Sequence, residues 1–134
     1  MASLVVSYVA NPERFLHEIY RVLKPGGRVV VSSMLRDADG MLLFHDGILE
    51  YATTEARGSL GQGIDSSFDK LVRDFLNDGS RLLELEECGR FRFWEETELR
   101  FAVANAGFQE IRAQQAFGEP PQAVIVSARR PDSR

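Results

Sequence analysis

The chain has 134 residues, 44% hydrophobic and 27% charged, with a net charge of −4. That balance suits one modest domain with a core of its own and argues against nucleic acid as a partner, because a phosphate-tracking surface needs clustered Lys and Arg. The single cysteine, Cys88, excludes a disulfide framework and a thiolate metal site, and no apolar run approaches the roughly 20 residues of a membrane span.

The N-terminus, Met-Ala-Ser-Leu-Val-Val, lacks the basic region of a signal peptide, so a cytoplasmic location is expected. Leu4 to Val9 is a short β-branched run and reads as the end of a buried strand. Asn11-Pro12-Glu13 then opens a helix. Asn is a good N-cap, Pro suits the first helical position, and Glu favours the positive end of the helix dipole. Phe15, Leu16, Ile19, Tyr20, Val22 and Leu23 recur at helical spacing as one apolar face. The helix is predicted over 12–24, since Pro25 disfavours helix at Lys24. After the Pro25-Gly26-Gly27 turn, residues 28–33 form a continuous apolar run, as expected of a strand covered on both faces. Strand end, helix, turn and strand make one right-handed βαβ crossover.

Residues 34–90 are less regular. Asp37-Ala38-Asp39-Gly40 reads as a turn; no closing Glu continues it into a calcium loop. Met41, Phe44, His45, Ile48 and Tyr51 fall at helical spacing. His45 and Asp46 are adjacent and therefore point about 100° apart on a helix, which argues against a base and its orienter. Gly58 to Gly63 follows a helical segment and not a strand, so it reads as a linker and not as a phosphate-binding loop. Ser66 or Ser67 caps a further helix, marked by Leu71, Val72, Phe75 and Leu76, with Asn77-Asp78-Gly79 as its predicted stop. Glu84, Glu86 and Glu87 read as a wet acidic face.

In the last third, Phe91, Phe93 and Trp94 lead into a helix over 96–106, with Leu99, Ala102, Val103 and Ala106 facing inward. Gly107 stands where a left-handed C-terminal residue belongs, with Phe108 placed for its hydrophobic contact. Ile111, Ala113 and Phe117 alternate as a weak strand. Gly118 to Pro121 turns the chain, and 122–128 is a strongly apolar strand. So short a link makes the last two strands antiparallel.

The stretch Asn11 to Ser33, with Glu18, Arg21, Val22, Leu23, Lys24, Pro25, Gly26 and Gly27, resembles the segment after the fourth strand of class I S-adenosylmethionine-dependent methyltransferases of the type 11 kind. "ELRFAVANAGF", Glu98 to Phe108, resembles the helix before their sixth strand. The resemblance implies an α/β fold: the C-terminal half of a Rossmann-like sheet, ending in an antiparallel hairpin. It implies one partial domain with three stretches, a strand-helix-strand core over 1–33, a variable substrate-covering insert over 34–90, and a core helix with its hairpin over 91–131. The strand at 28–33 should be central, with 122–128 antiparallel beside it.

The same resemblance implies S-adenosylmethionine as the cofactor of the complete enzyme and an unidentified small-molecule acceptor. Ser7 and Tyr8 map loosely to residues bordering the methyl group, and His45 and Tyr51 fall in the insert that would meet the acceptor. No residue is assigned as catalytic, and no metal is expected. The glycine-rich cofactor loop and the acidic residue after the second strand have no counterpart here, so this chain alone is expected to be inactive. It reads as a methyltransferase fragment, as one half of a split enzyme, or as a non-catalytic interaction module. Loss of a neighbouring strand beside residues 3–9 would leave an unpaired edge, from which a homodimer is expected.

Overall fold

The computed structural model describes residues 2–3, 5–39, 42 and 64–132. Contacts divide it into two units, residues 39–85 and the remainder.

The larger unit is built on a four-stranded sheet. Its elements are β1 (Ala2–Ser3), α1 (Val5–Tyr8), α2 (Pro12–Val22), β2 (Arg28–Met34), α4 (Glu96–Asn105), β3 (Gln109–Ala116) and β4 (Ala123–Arg129). The intervening helix α3 (Ile64–Glu87) belongs almost wholly to the smaller unit. The strand order is β1-β2-β4-β3. β1 runs parallel to β2, with Ala2 opposite Val31 and Ser3 opposite Ser32. β4 runs antiparallel to β2, from Arg28 opposite Arg129 to Met34 opposite Ala123, and β3 closes the hairpin. The apolar run at 28–33 is thus interior, with the last strand antiparallel beside it, as expected.

Three local expectations are corrected. The run expected as a strand end is helical where it is described: residues 5–8 form one helical turn, after the paired residues Ala2 and Ser3. In that turn Val6 and Ser7 are buried while Val5 and Tyr8 face outward. A run of six residues is too short for period alone to separate strand from helix. Residues 28–33 are not covered equally on both faces: Val29, Val31 and Ser33 are buried, whereas Val30 and Ser32 are half-buried. β4 repeats the alternation through Val124, Val126 and Ala128. Phe117 does not continue the alternation of β3. It sits in the turn at φ 63°, 66% exposed.

Helix α2 forms for the reasons its sequence gives. The Asn11 side chain accepts from the Arg14 amide at 2.8 Å, and Pro12 takes the first position. The helix buries Leu16 fully and packs Phe15, Ile19, Tyr20 and Leu23 against the core, but Val22 stays 67% exposed. Its end is held by the C-terminal segment: Nη1 of Arg130 donates to the carbonyls of Tyr20, Arg21 and Leu23, and its guanidinium lies 4.8 Å from the Tyr20 ring. Helix α4 begins with a capping box in which Glu95 and Glu98 satisfy each other's backbone amides. It ends at Gly107, φ 97°, and Phe108 then packs edge-on against Tyr20 at 5.1 Å. Leu16 of α2 and Leu99 and Val103 of α4 share one core with Val31, Val124 and Val126 of the sheet.

In the smaller unit, α3 passes straight through the predicted stop at Asn77-Asp78-Gly79 and ends at Glu87. One Gly costs about 1 kcal/mol in a helix interior, and Leu82 and Leu85 carry the half-buried stripe on beyond it.

Candidate functional site

Ligands of open α/β sheets gather at the C-terminal ends of parallel strands. Here that place is the end of β1, where the chain leaves the sheet and turns through α1. Two further strands of evidence fix this turn in position. The Ser7 hydroxyl lies 2.8 Å from that of Ser33 on β2, and both side chains are buried. Ser33 donates its own proton to the Met34 carbonyl at 3.0 Å, so Ser7 is the donor between them. The Arg92 amide donates to the Ser7 carbonyl at 2.9 Å, which fastens residues 91–93 beside α1.

Tyr8, 53% exposed, stands edge-on to the buried Phe91 at 4.8 Å, and Phe91 stands edge-on to Phe93 at 4.8 Å. The segment then crosses β2. The Trp94 amide donates to the Met34 carbonyl, and Leu35 and Trp94 form a parallel bridge. The Trp94 indole N–H is buried without a hydrogen-bond partner.

Behind the turn, a cleft of about 380 Å³ opens where Asn11 and Glu13 at the start of α2 face Arg92, Trp94 and Glu98. Its floor is electrostatically closed. The Arg92 guanidinium stacks 4.0 Å from the Trp94 ring and lies 3.6 Å from Glu98, while Arg36 reaches Glu98 at 2.8 Å. The Glu95 amide holds the Glu98 carboxyl below its ordinary value; burial is the next largest effect and opposes it, and Arg36 and Arg92 add smaller lowering effects. With its cations already matched, the cleft has little charge left to recruit a ligand.

Of the residues proposed from sequence, Ser7 and Tyr8 meet at this turn in different roles. Ser7 is enclosed and committed to Ser33, whereas Tyr8 is open to a ligand. His45 and Tyr51 lie outside the described residues. Sequence reasoning did not join Ser33 to Ser7, although a serine ending a buried valine run requires a polar partner. It also missed Phe91 and Arg92, whose tie to α1 comes from chain return and left no local signal. Among the described residues no group of His, Cys, Asp and Glu could hold a metal, and no helix is long and apolar enough to cross a membrane. Nor do these residues make a pocket for a sulfonium nucleoside: one hydroxyl is already satisfied and one aromatic ring stands on an open surface.

Residues 1–31 match the family model of the methyltransferase domain. No curated protein matches the chain at a significant level. Among solved structures, it is similar to an S-adenosylmethionine-dependent methyltransferase of Thermotoga maritima, described as a possible histamine N-methyltransferase, with a TM-score of 0.51 and 19% identity. The match covers 95% of this chain and 52% of the other, so the chain spans about half the length of that protein. The chain thus shares the α/β fold of that methyltransferase, and its first 31 residues are similar to the methyltransferase domain family.

Proposed function

We propose that this chain supplies the acceptor side of an S-adenosylmethionine-dependent methyltransferase of the cytoplasm, one that methylates a small molecule. A glycine-rich cofactor segment must join it from elsewhere, in the same polypeptide or in a partner. The observation that carries this reading is the turn after β1. It lies where a parallel strand delivers ligand contacts, it is pinned by the Ser7–Ser33 and Arg92–Ser7 hydrogen bonds, and it leaves Tyr8 exposed.

Methyl transfer from a sulfonium is an in-line displacement at carbon, and positioning supplies much of the rate. A chain whose role is to position an acceptor needs no catalytic dyad. In this reading Tyr8 borders the methyl group, Ser7 holds Tyr8 in place, and His45 and Tyr51 contact the acceptor.

Calorimetric titration with S-adenosylhomocysteine tests the proposal. The isolated chain should give no heat of binding in the micromolar range. The same chain joined to the polypeptide encoded directly upstream of Met1 should bind. Micromolar binding by the isolated chain would overturn its dependence on a second segment. No binding by the joined form would overturn the methyltransferase reading.

A further inference from the structure

Among the described residues of the smaller unit, helix α3 carries exposed leucines along one face. Leu76 and Leu83 on α3 are 55% and 57% exposed. With Val72 and Gly79 they form a seam, at spacings of four, three and four residues, which is the repeat of a helix that packs lengthwise on another helix. Val72 and Gly79 are half-buried, like Phe75, Leu82 and Leu85 on the neighbouring stripe, so Leu76 and Leu83 are the exposed members of the seam. At Gly79 the place a Cβ would occupy has no atom within 4 Å, so a hole stands open in the middle of the seam.

We propose that this seam is the contact between two copies of the chain, whose α3 helices pair antiparallel about a two-fold axis. Three features choose a second copy as the occupant and choose its direction. The seam is self-complementary when reversed: Leu76 seats over the partner's Gly79, and Val72 meets the partner's Leu83. Arg73 and Glu84 lie on the same flank of the seam and are both exposed. Among the described residues neither has an ion-pair partner within the chain. A two-fold axis across the helices brings like flanks together, so Arg73 of each copy comes level with the partner's Glu84, within one turn.

Parallel pairing does the opposite. It carries each copy's Arg73 and Glu84 to opposite sides of the interface, where neither meets an opposite charge, and it leaves Gly79 facing Gly79 across a gap. Opposite charges flanking a seam set orientation in this way.

The test is sedimentation equilibrium of the full chain and its charge variants. The wild type should approach twice the 15.1 kDa chain mass as concentration rises. Arg73→Glu alone and Glu84→Arg alone should each weaken association by roughly tenfold, and the double variant should restore it. Leu76→Asp should abolish it, and since that position is exposed the chain should keep its fold by circular dichroism. With Cys88→Ser as background, Leu76→Cys plus Leu83→Cys places no thiol opposite a thiol, whereas Leu76→Cys plus Gly79→Cys should oxidise to a linked dimer. A wild type that stays monomeric at about 1 mM, too weak for any specific interface of this kind, overturns the proposal. So does a dimer indifferent to these changes, or one in which the charge-swapped double variant is no better than the single variants.

Discussion

Ser7 and Ser33 share a hydrogen bond of 2.8 Å between two buried side chains, and the two hydroxyls are not interchangeable. Ser33 passes its proton to Met34 and accepts from Ser7. Ser33→Ala therefore strands a buried donor on Ser7 and should cost about 2 kcal/mol, whereas Ser7→Ala only empties one acceptor site and should cost about 1 kcal/mol. Urea unfolding of the two variants checks the order. Equal costs, or a greater cost for Ser7→Ala, would contradict the assigned direction of donation.

Arg130 offers a second test. Its one guanidinium nitrogen serves three carbonyls at the end of α2 while its plane covers Tyr20. Arg130→Ala should destabilise the chain by about 2 kcal/mol, through lost charge-assisted bonds at the negative end of a helix. Arg130→Lys should recover less than half of that, because an ammonium has no planar group to cover Tyr20 while it serves the carbonyls. Full recovery by lysine in thermal unfolding would reduce the contact to simple charge.

The lowered carboxyl of Glu98 carries a pH dependence with a definite sign. Its native form favours the carboxylate, through the Glu95 amide and then Arg36 and Arg92. The stability it contributes is present above the ordinary glutamate range and is lost as pH falls through the lowered native value. The Glu98 side chain is 34% exposed, which keeps the effect small. Glu98→Gln retains the capping geometry and loses the charge, so its urea midpoint should fall less between pH 7 and pH 3 than that of the wild type. Parallel curves for the two proteins would remove Glu98 from the acid response.

Gly107 should tolerate no side chain. At φ 97° an alanine is strained, and its Cβ would approach the Tyr20 ring to 3.2 Å. Gly107→Ala should cost about 1–2 kcal/mol, with loss of the near-ultraviolet signal of Tyr20. An unchanged melting temperature would contradict this.

What could be read from the sequence followed the strength of local chemistry. Asn11-Pro12 and Pro25-Gly26-Gly27 bracket α2 almost to the residue, because caps and prolines act on the backbone beside them. Gly107 closes α4 for the same reason. The misreadings lie where local and tertiary preferences diverge. Val5 and Val6 favour strands, yet α1 is helical, and burial of Val6 and Ser7 with the bond to Ser33 decides it. Asn77-Asp78-Gly79 carries every mark of a helix end, yet the apolar stripe past it prevails. The candidate site was legible only as a pair of neighbours, Ser7 and Tyr8. Their partners Ser33, Phe91 and Arg92 come from positions far along the chain, and a single sequence carries no trace of such meetings.

The parallel bridge between Leu35 and Trp94 has an evolutionary reading. The chain leaves the sheet at one of these residues and comes back at the other, with the two fastened side by side through the Trp94 amide and the Met34 carbonyl. Doubling the length of a flexible excursion closed by such a clasp costs only about 0.6 kcal/mol in closure entropy. Residues 39–85 can therefore be lengthened, shortened or traded for another sequence while the contacts of the larger unit stand unaltered. A lineage could exchange this whole stretch by recombination at one clasp, with no rebuilding of its β-structure.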